Sequence, residues 1–267
     1  MIYRAEQHRL CFLLLIIFFL FQSTAIASED IANEKSSTIT ETLINDHKSF
    51  YSGERLTRIG LGFGLGAILA NTTIDNQIQK KYQDDIRSSS TDDFAKSAKL
   101  FGEGIYLIPL SLLSASINYF DNKSPIGDWG AYSARAYLIG APGMLLMQRV
   151  TGGSRPGETN HDSNWRPFDD SNGVSGHAFI GAVPFLTLAK MNRDNTLLRY
   201  IAYIASTASA WSRVNDNAHY LSQVGLGWYL AWESVGAVFD VDKQYRKVSI
   251  APLIGQDSFG IAVNIKW

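Results

Sequence analysis

The chain has 267 residues, 24 basic and 25 acidic side chains, and a composition that is 46% hydrophobic and 18% charged. That balance excludes a wholly disordered chain and offers no basic footprint for nucleic acid, so any chemistry on an anion needs a local pocket. The single cysteine, Cys11, lies in the N-terminal apolar run, so a processed chain has no disulfide framework, thiolate nucleophile or cysteine metal site.

Residues 1–27 read as a signal peptide. Arg4 and Arg9 precede an unbroken apolar run from Leu10 to Phe21, and Ala25-Ile26-Ala27 supplies small residues where a signal peptidase cleaves. The alternative is a retained anchor, although the run is short against the ~20 residues of a spanning helix. Export to the periplasm or cell envelope is the expectation. Residues 28–55 form a polar segment, with Thr38 and Glu41 spaced as a capping box that opens a short helix.

Residues 56–240 hold apolar stretches near Ile59–Ala70, Gly104–Phe120, Ala131–Met147, Ala178–Met191, Leu198–Trp211 and Leu221–Phe239. Their lengths and their Leu, Ala and Ile content predict helices. Most are shorter than a membrane span of ~20 residues, and Arg135 and Glu233 interrupt two of them. With a mean hydropathy of −0.05, this favours a soluble or peripherally attached bundle over a multi-spanning one. The glycines at 60, 62, 64 and 66 fall in pairs four apart, which suits close helix packing better than a nucleotide loop. Asp84-Asp85 and Asp169-Asp170 read as exposed turns, and Trp228, Tyr229 and Trp232 fit either core packing or a lipid groove. Residues 241–267 alternate partly with period two around Gly255-Gln-Asp-Ser, which predicts a β-hairpin. The expected fold class is mainly α: a helical bundle with a small C-terminal β-hairpin.

Three segments carry the polar residues that a phosphate site needs. Gln148 to Pro156 ends an apolar helix and contains Arg155. Val174-Ser175-Gly176-His177 precedes another, with Ser175 as N-cap, so that first-turn amides face an anion and Gly176 lets it approach. Ser212-Arg213 leads through Asn215-Asp216-Asn217, a helix breaker, to His219 in a first turn, where the helix N-terminus favours the neutral imidazole. Gln223 lies four residues on, on the same face as His219. Arg155 and Arg213 supply planar guanidiniums for bidentate phosphate contacts.

These segments resemble the type 2 phosphatidic acid phosphatase and haloperoxidase (PAP2) superfamily, whose pattern is Lys-x6-Arg-Pro, then Pro-Ser-Gly-His, then Ser-Arg-x5-His-x3-Asp. Arg155 and Pro156 match the first motif, Ser175, Gly176 and His177 the second, and Ser212, Arg213 and His219 the third, with every internal spacing kept. The resemblance implies a PAP2-like helical bundle and a phosphatase acting on a phosphate monoester or lipid (pyro)phosphate. His219 would be the nucleophile that becomes a phosphohistidine, and His177 the general acid and base. Gln148, Arg155, Ser175, Gly176 and Arg213 would bind the phosphoryl oxygens. No cofactor or metal is implied. The partners would be a phosphorylated lipid or small phosphate ester, with peripheral membrane contact and no nucleic acid.

Gln148 stands where the family has Lys, Val174 where it has Pro, and Gln223 where it has Asp. Val for Pro removes only backbone pre-organisation. Gln148 can donate a neutral hydrogen bond where lysine donates a charged one, and Arg149 points about 100° away while the helix continues. Gln223 offers both an acceptor and a donor, so the sequence leaves open which end faces His219 and which tautomer results. Two alternatives therefore stand beside the phosphatase: a catalytically weak or inactive phosphate-binding envelope protein, and a vanadate-dependent haloperoxidase.

Overall fold

The computed structural model describes residues 39–120, 124–159, 161–255 and 258–265, with side-chain surroundings described through residue 242. The signal segment, Cys11 and Thr38 lie outside the described residues. The chain is mainly helical: α1 (Ile39–Phe50), α2 (Gly53–Ala70), α3 (Ile74–Asp85), α4 (Ser89–Leu100), α5 (Gly104–Ser116) with a short 3-10 turn (Ile117–Tyr119), α6 (Pro125–Thr151), α7 (Gly176–Met191), α8 (Thr196–Ser206), α9 (Ala208–Asn215) and α10 (Leu221–Lys247). After α10 the backbone runs as β1 (Val248–Gly255) and β2 (Ser258–Ile265), antiparallel, with Val248 opposite Ile265 and Gly255 opposite Ser258.

The core forms around α7, which packs against α6, α8 and α10. Phe179, Ala182, Val183 and Leu186 are fully buried there, facing Ile139 of α6 and Leu230, Ala231 and Val235 of α10. Close approach needs small residues at the crossings. A Cβ on Gly227 would lie 2.3 Å from the Ser175 carbonyl, so only glycine lets α10 pass the start of α7. The glycine-rich stretch of α2 divides: Gly62 and Gly66 meet Tyr229 and Leu226 of α10, while Gly60 and Gly64 face open space.

The charges that interrupt the apolar stretches are paired across the bundle. Arg135 of α6 makes two 2.7 Å bonds to the fully buried Asp46 of α1. Glu233 of α10 binds the buried Arg55 of α2, which also reaches Asp240 at 2.8 Å. Buried charges need partners of this kind to avoid a desolvation cost of several kcal/mol. The helical body consequently takes in residues expected to form a polar N-terminal segment, with Asp46 and Phe50 buried against α6 and α10.

Two features differ from the sequence reading. The stretch Leu198–Trp211 is not one helix but two, because Ser206 and Thr207 bond back to the carbonyls of Tyr203 and Ile204 and loosen the ladder. Helices α3 and α4 come from polar sequence with few apolar positions, and Asp84-Asp85 ends α3 rather than sitting in a turn. Trp228 stacks on Trp232, whose ring lies tilted against Tyr203, and the Trp228 ring N–H donates to Ser206, which settles the two tryptophans as packing residues.

Asp75 of α3 shows what those polar helices do. Its buried carboxylate accepts from the backbone N–H of Ser222, at 3.0 Å, and from the Ser222 hydroxyl, so α3 caps the N-terminus of α10. Asp75→Ala leaves both donors unpaired and is expected to lower stability by about 1–3 kcal/mol. Chemical denaturation measures it, and an unchanged midpoint would remove this cap from the account.

Among the described residues no single helix is long and apolar enough to cross a membrane. The pair Ser89–Leu100 and Gly104–Tyr119, bent by 42°, passes that test of length and composition only together.

Candidate active site

The three motif segments meet at one end of α6, α7 and α10. Helix α6 stops at Gly152, which adopts a left-handed conformation (φ 61°) and donates to the Gln148 carbonyl. Because α6 runs through Thr151, Arg149 stays on its own, exposed face and does not stand in for the missing lysine. The chain then passes Gly153 and Ser154, both buried, before reaching Arg155. A Cβ on Gly153 would sit 3.1 Å from the Gly173 Cα and 3.3 Å from Gln223 Nε2, so the first and third motifs touch there.

Ser175 caps α7 as the sequence predicts, its hydroxyl accepting from the Ala178 N–H at 3.4 Å. The Ser175 N–H in turn donates to the Gln223 carbonyl at 2.9 Å. That backbone bond fastens the helix carrying His177 to the helix carrying Gln223. The first-turn amides of Gly176 and His177 precede any intrahelical acceptor.

His219 lies two residues before α10 rather than in its first turn. Asn217 takes a left-handed conformation (φ 53°), and the N–H groups of Ala218 and His219 both donate to the Arg213 carbonyl. Asn215-Asp216-Asn217 breaks α9 as expected but does not cap α10. Instead the α3–α4 layer holds the turn: Gln79 and Gln83 donate to the Val214 carbonyl at 3.2 and 2.9 Å, Gln79 reaches the Asn217 side chain at 2.7 Å, and Asn215 donates to Asp92 at 2.8 Å.

Gln223 answers the question the sequence leaves open. Its Nε2 donates to the Ser154 carbonyl at 2.7 Å, and its Oε1 accepts from the Tyr220 backbone N–H at 3.2 Å. A carbonyl can only accept and an N–H can only donate, so these two partners fix the amide without reference to the histidine. Oε1 is therefore the atom 2.8 Å from His219 Nδ1. His219 must carry its proton on Nδ1, and Nε2 is left with the lone pair. A buried glutamine sets the tautomer that an aspartate would set.

The electrostatics agree. Burial holds the His219 imidazole down at about 4; the Gln223 bond opposes that shift, while Arg213, Arg155 and the His177 ring add to it. His177 also lies below its ordinary value, through burial and Arg213, with the Glu103 carboxylate pulling the other way. Glu103 Oε1 is 3.3 Å from His177 Nε2. Burial lowers Arg213 too, and its nearest charge partner, Asp216, sits at 3.4 Å. Arg213 Nε is buried with no hydrogen-bond partner among the described residues. Two guanidiniums and two imidazoles thus influence one another, and one buried donor among them lacks an acceptor.

The remaining predicted residues are placed as follows. Gln148 Nε2 donates to the Val174 carbonyl at 2.8 Å and lies 3.6 Å from where a Cβ on Gly176 would be, so one of its two N–H bonds holds the second motif. Arg155 is exposed; its Nε donates to Asn172 at 3.0 Å, and its guanidinium is 3.9 Å from Glu158. Ser212 is fully buried and bonds to the Ser209 carbonyl, a structural use. The sequence reading missed Glu103, Asp75, Gln79 and Gln83. Gln79 and Gln83, four apart on one face, are the only part of that set with a visible spacing signal.

Residues 133–246 match the model of the PAP2 superfamily, a stretch that includes every residue of the three motifs. No curated protein and no solved structure matches the chain. Over residues 133–246 the chain is similar to the PAP2 superfamily, a likeness that supports a phosphatase-type function in general terms.

Proposed function

We propose that the protein is a phosphatase that hydrolyses a phosphate monoester or a lipid (pyro)phosphate through a phosphohistidine on His219, without a metal. The observation that carries this reading is the anchored Gln223 amide, which leaves His219 Nε2 unprotonated, together with a buried Arg213 Nε that has no hydrogen-bond partner among the described residues. Nε2 attacks phosphorus, and the ester oxygen leaves with a proton from His177. His177 then takes a proton from water, which attacks the phosphohistidine and releases inorganic phosphate. Arg213, Arg155, the Gly176 amide and the second N–H of Gln148 bind the equatorial oxygens as charge spreads over them. Ser175 shapes this cradle through its cap on Ala178.

The exposed apolar faces support peripheral membrane contact and hence a lipid-borne substrate. Leu61, Leu65 and Ile68 of α2, Ile105 and Leu113 of α5, and Ile204 of α8 are each more than half exposed. Export to the periplasm or cell envelope belongs to the same reading and rests on the charged, apolar and small-residue pattern of residues 1–27.

The pH profile follows from the two imidazoles. His219 must be neutral, which its value of about 4 allows at higher pH. His177 must be protonated, and its depressed value means that this form is lost as pH rises toward the ordinary histidine value of 6.5. We expect kcat/KM, corrected for the ester's own ionisation, to peak between these limits, on the acid side of neutrality. An alkaline optimum would contradict these roles. The test of the function itself is phosphate release from lipid and soluble esters, with competitive inhibition by vanadate as a mimic of the five-coordinate phosphorus. Halide oxidation by the vanadate-loaded protein would favour the haloperoxidase instead.

A further inference from the structure

Glu103 precedes α5 in the N-cap position, yet its side chain makes no capping bond. It turns instead toward the start of α7, where Oε1 meets His177 Nε2 at 3.3 Å. The turn that carries it is pinned. A Cβ on Gly102 would lie 2.1 Å from Ser209 Oγ and 2.9 Å from the His177 carbonyl, and the Ser209 hydroxyl donates to that same carbonyl at 3.1 Å. Gly181 of α7 makes an equally close approach to the Phe101 carbonyl, and Phe101 packs edge-on against Phe185. Three successive residues, Phe101 to Glu103, are therefore fixed against the helix that begins with His177.

We propose that Glu103 is a positioning residue for the reaction: its carboxylate orients the His177 ring and sustains its protonated form for transfer to the leaving oxygen. The inference rests on the phosphatase reading above. The charges facing His177 make the need plain. Arg213 on α9 and Lys99 on α4 both oppose a second positive charge there, and the His219 ring stands across the same site. Burial opposes it further. Among the described residues Glu103 is the one carboxylate acting on His177, and it also acts on Arg213. Without it a general acid placed between cations would be deprotonated over most of the working range.

A general acid matters in proportion to the basicity of the leaving group. An alkoxide needs the proton; a nitrophenolate leaves nearly as well without it. The test compares the full chain with Glu103→Gln, an isosteric change at a side chain 30% exposed. It measures kcat/KM for an alkyl phosphate and for p-nitrophenyl phosphate between about pH 4 and 9. The expected result is that the ratio of alkyl to nitrophenyl hydrolysis at neutral pH falls by roughly tenfold, with the alkaline limb about one pH unit lower. Equal losses on both esters with an unmoved limb, or no change at all, would overturn the proposal. If the wild-type chain hydrolyses neither ester, the phosphatase reading fails, and the NMR titration of His177 still decides Glu103. A lower midpoint in Glu103→Gln upholds its role on the ring, and an unchanged midpoint ends it.

Discussion

Replacing His219 with glutamine is expected to lower phosphate release by at least about 10⁴-fold, close to the background of the uncatalysed ester. The change removes the proposed nucleophile, because a Gln amide cannot present a nucleophilic nitrogen. Folding should survive. Glutamine is similar in reach, and the neighbouring backbone is held by bonds from Ala218 and His219 to the Arg213 carbonyl that need no imidazole. Substrate binding should change much less than turnover, since Arg213 and the start of α7 are untouched. Steady-state kinetics beside an unfolding curve separates the two: a fall in kcat with an unchanged midpoint is the predicted pair. Retention of more than about a tenth of the activity would show that another nucleophile acts.

Gln223 gives the second large effect. Gln223→Leu removes the acceptor on His219 Nδ1 and leaves the Tyr220 N–H and the Ser154 carbonyl without their partners. The imidazole is then free to carry its proton on Nε2, the atom proposed to attack. Rate losses of roughly 10² to 10⁴ are expected, the upper end set by a comparable tautomer loss in serine proteases. Each orphaned buried group also costs about 1–3 kcal/mol of stability. Gln223→Glu makes a different prediction. A carboxylate at the same reach stabilises the imidazolium, so the acid limb of the pH profile should rise from about 4 by one unit or more. It also sets a negative oxygen against the Ser154 carbonyl, where Gln223 now donates, so stability should fall. A Gln223→Leu enzyme with near wild-type turnover would show that the tautomer is set elsewhere.

The value of the glutamine is that it orients without charging. An aspartate there would raise the pKa of its histidine further; with Gln223 in place, burial keeps His219 neutral down to about 4. Where the PAP2 pattern has a carboxylate, this chain has an amide whose second end donates to the Ser154 carbonyl. That partner explains why a longer side chain fits.

Much of this was legible in the residues. The motif spacings around Arg155, His177 and His219 mark the site, and the apolar stretches mark most helices, because buried helices must be apolar on the faces that pack. The orientation of Gln223 was not legible. It depends on a carbonyl sixty-nine positions away, which no local pattern encodes. Nor were α3 and α4 visible as supports. Their task is to cap and hold other helices through Asp75, Gln79, Gln83 and Asp92, so their sequence is polar and gives a weak periodic signal. His219 fell outside the first turn of α10 because the left-handed Asn217 continues the turn after α9 by two residues more than the breaker sequence suggests. Glu103 hides for a similar reason. Its partner lies seventy-four positions on, and a lone acidic residue before an apolar run reads as an ordinary cap.

The central claim is that Nε2 of His219 takes the phosphoryl group, and rapid acid-free quenching of the enzyme with a labelled phosphate ester tests it most directly. A phosphoryl adduct on His219, stable in alkali, labile in acid and missing from His219→Gln, is the predicted result. Turnover by the wild-type protein with no adduct at His219, or with label on another side chain, would contradict it.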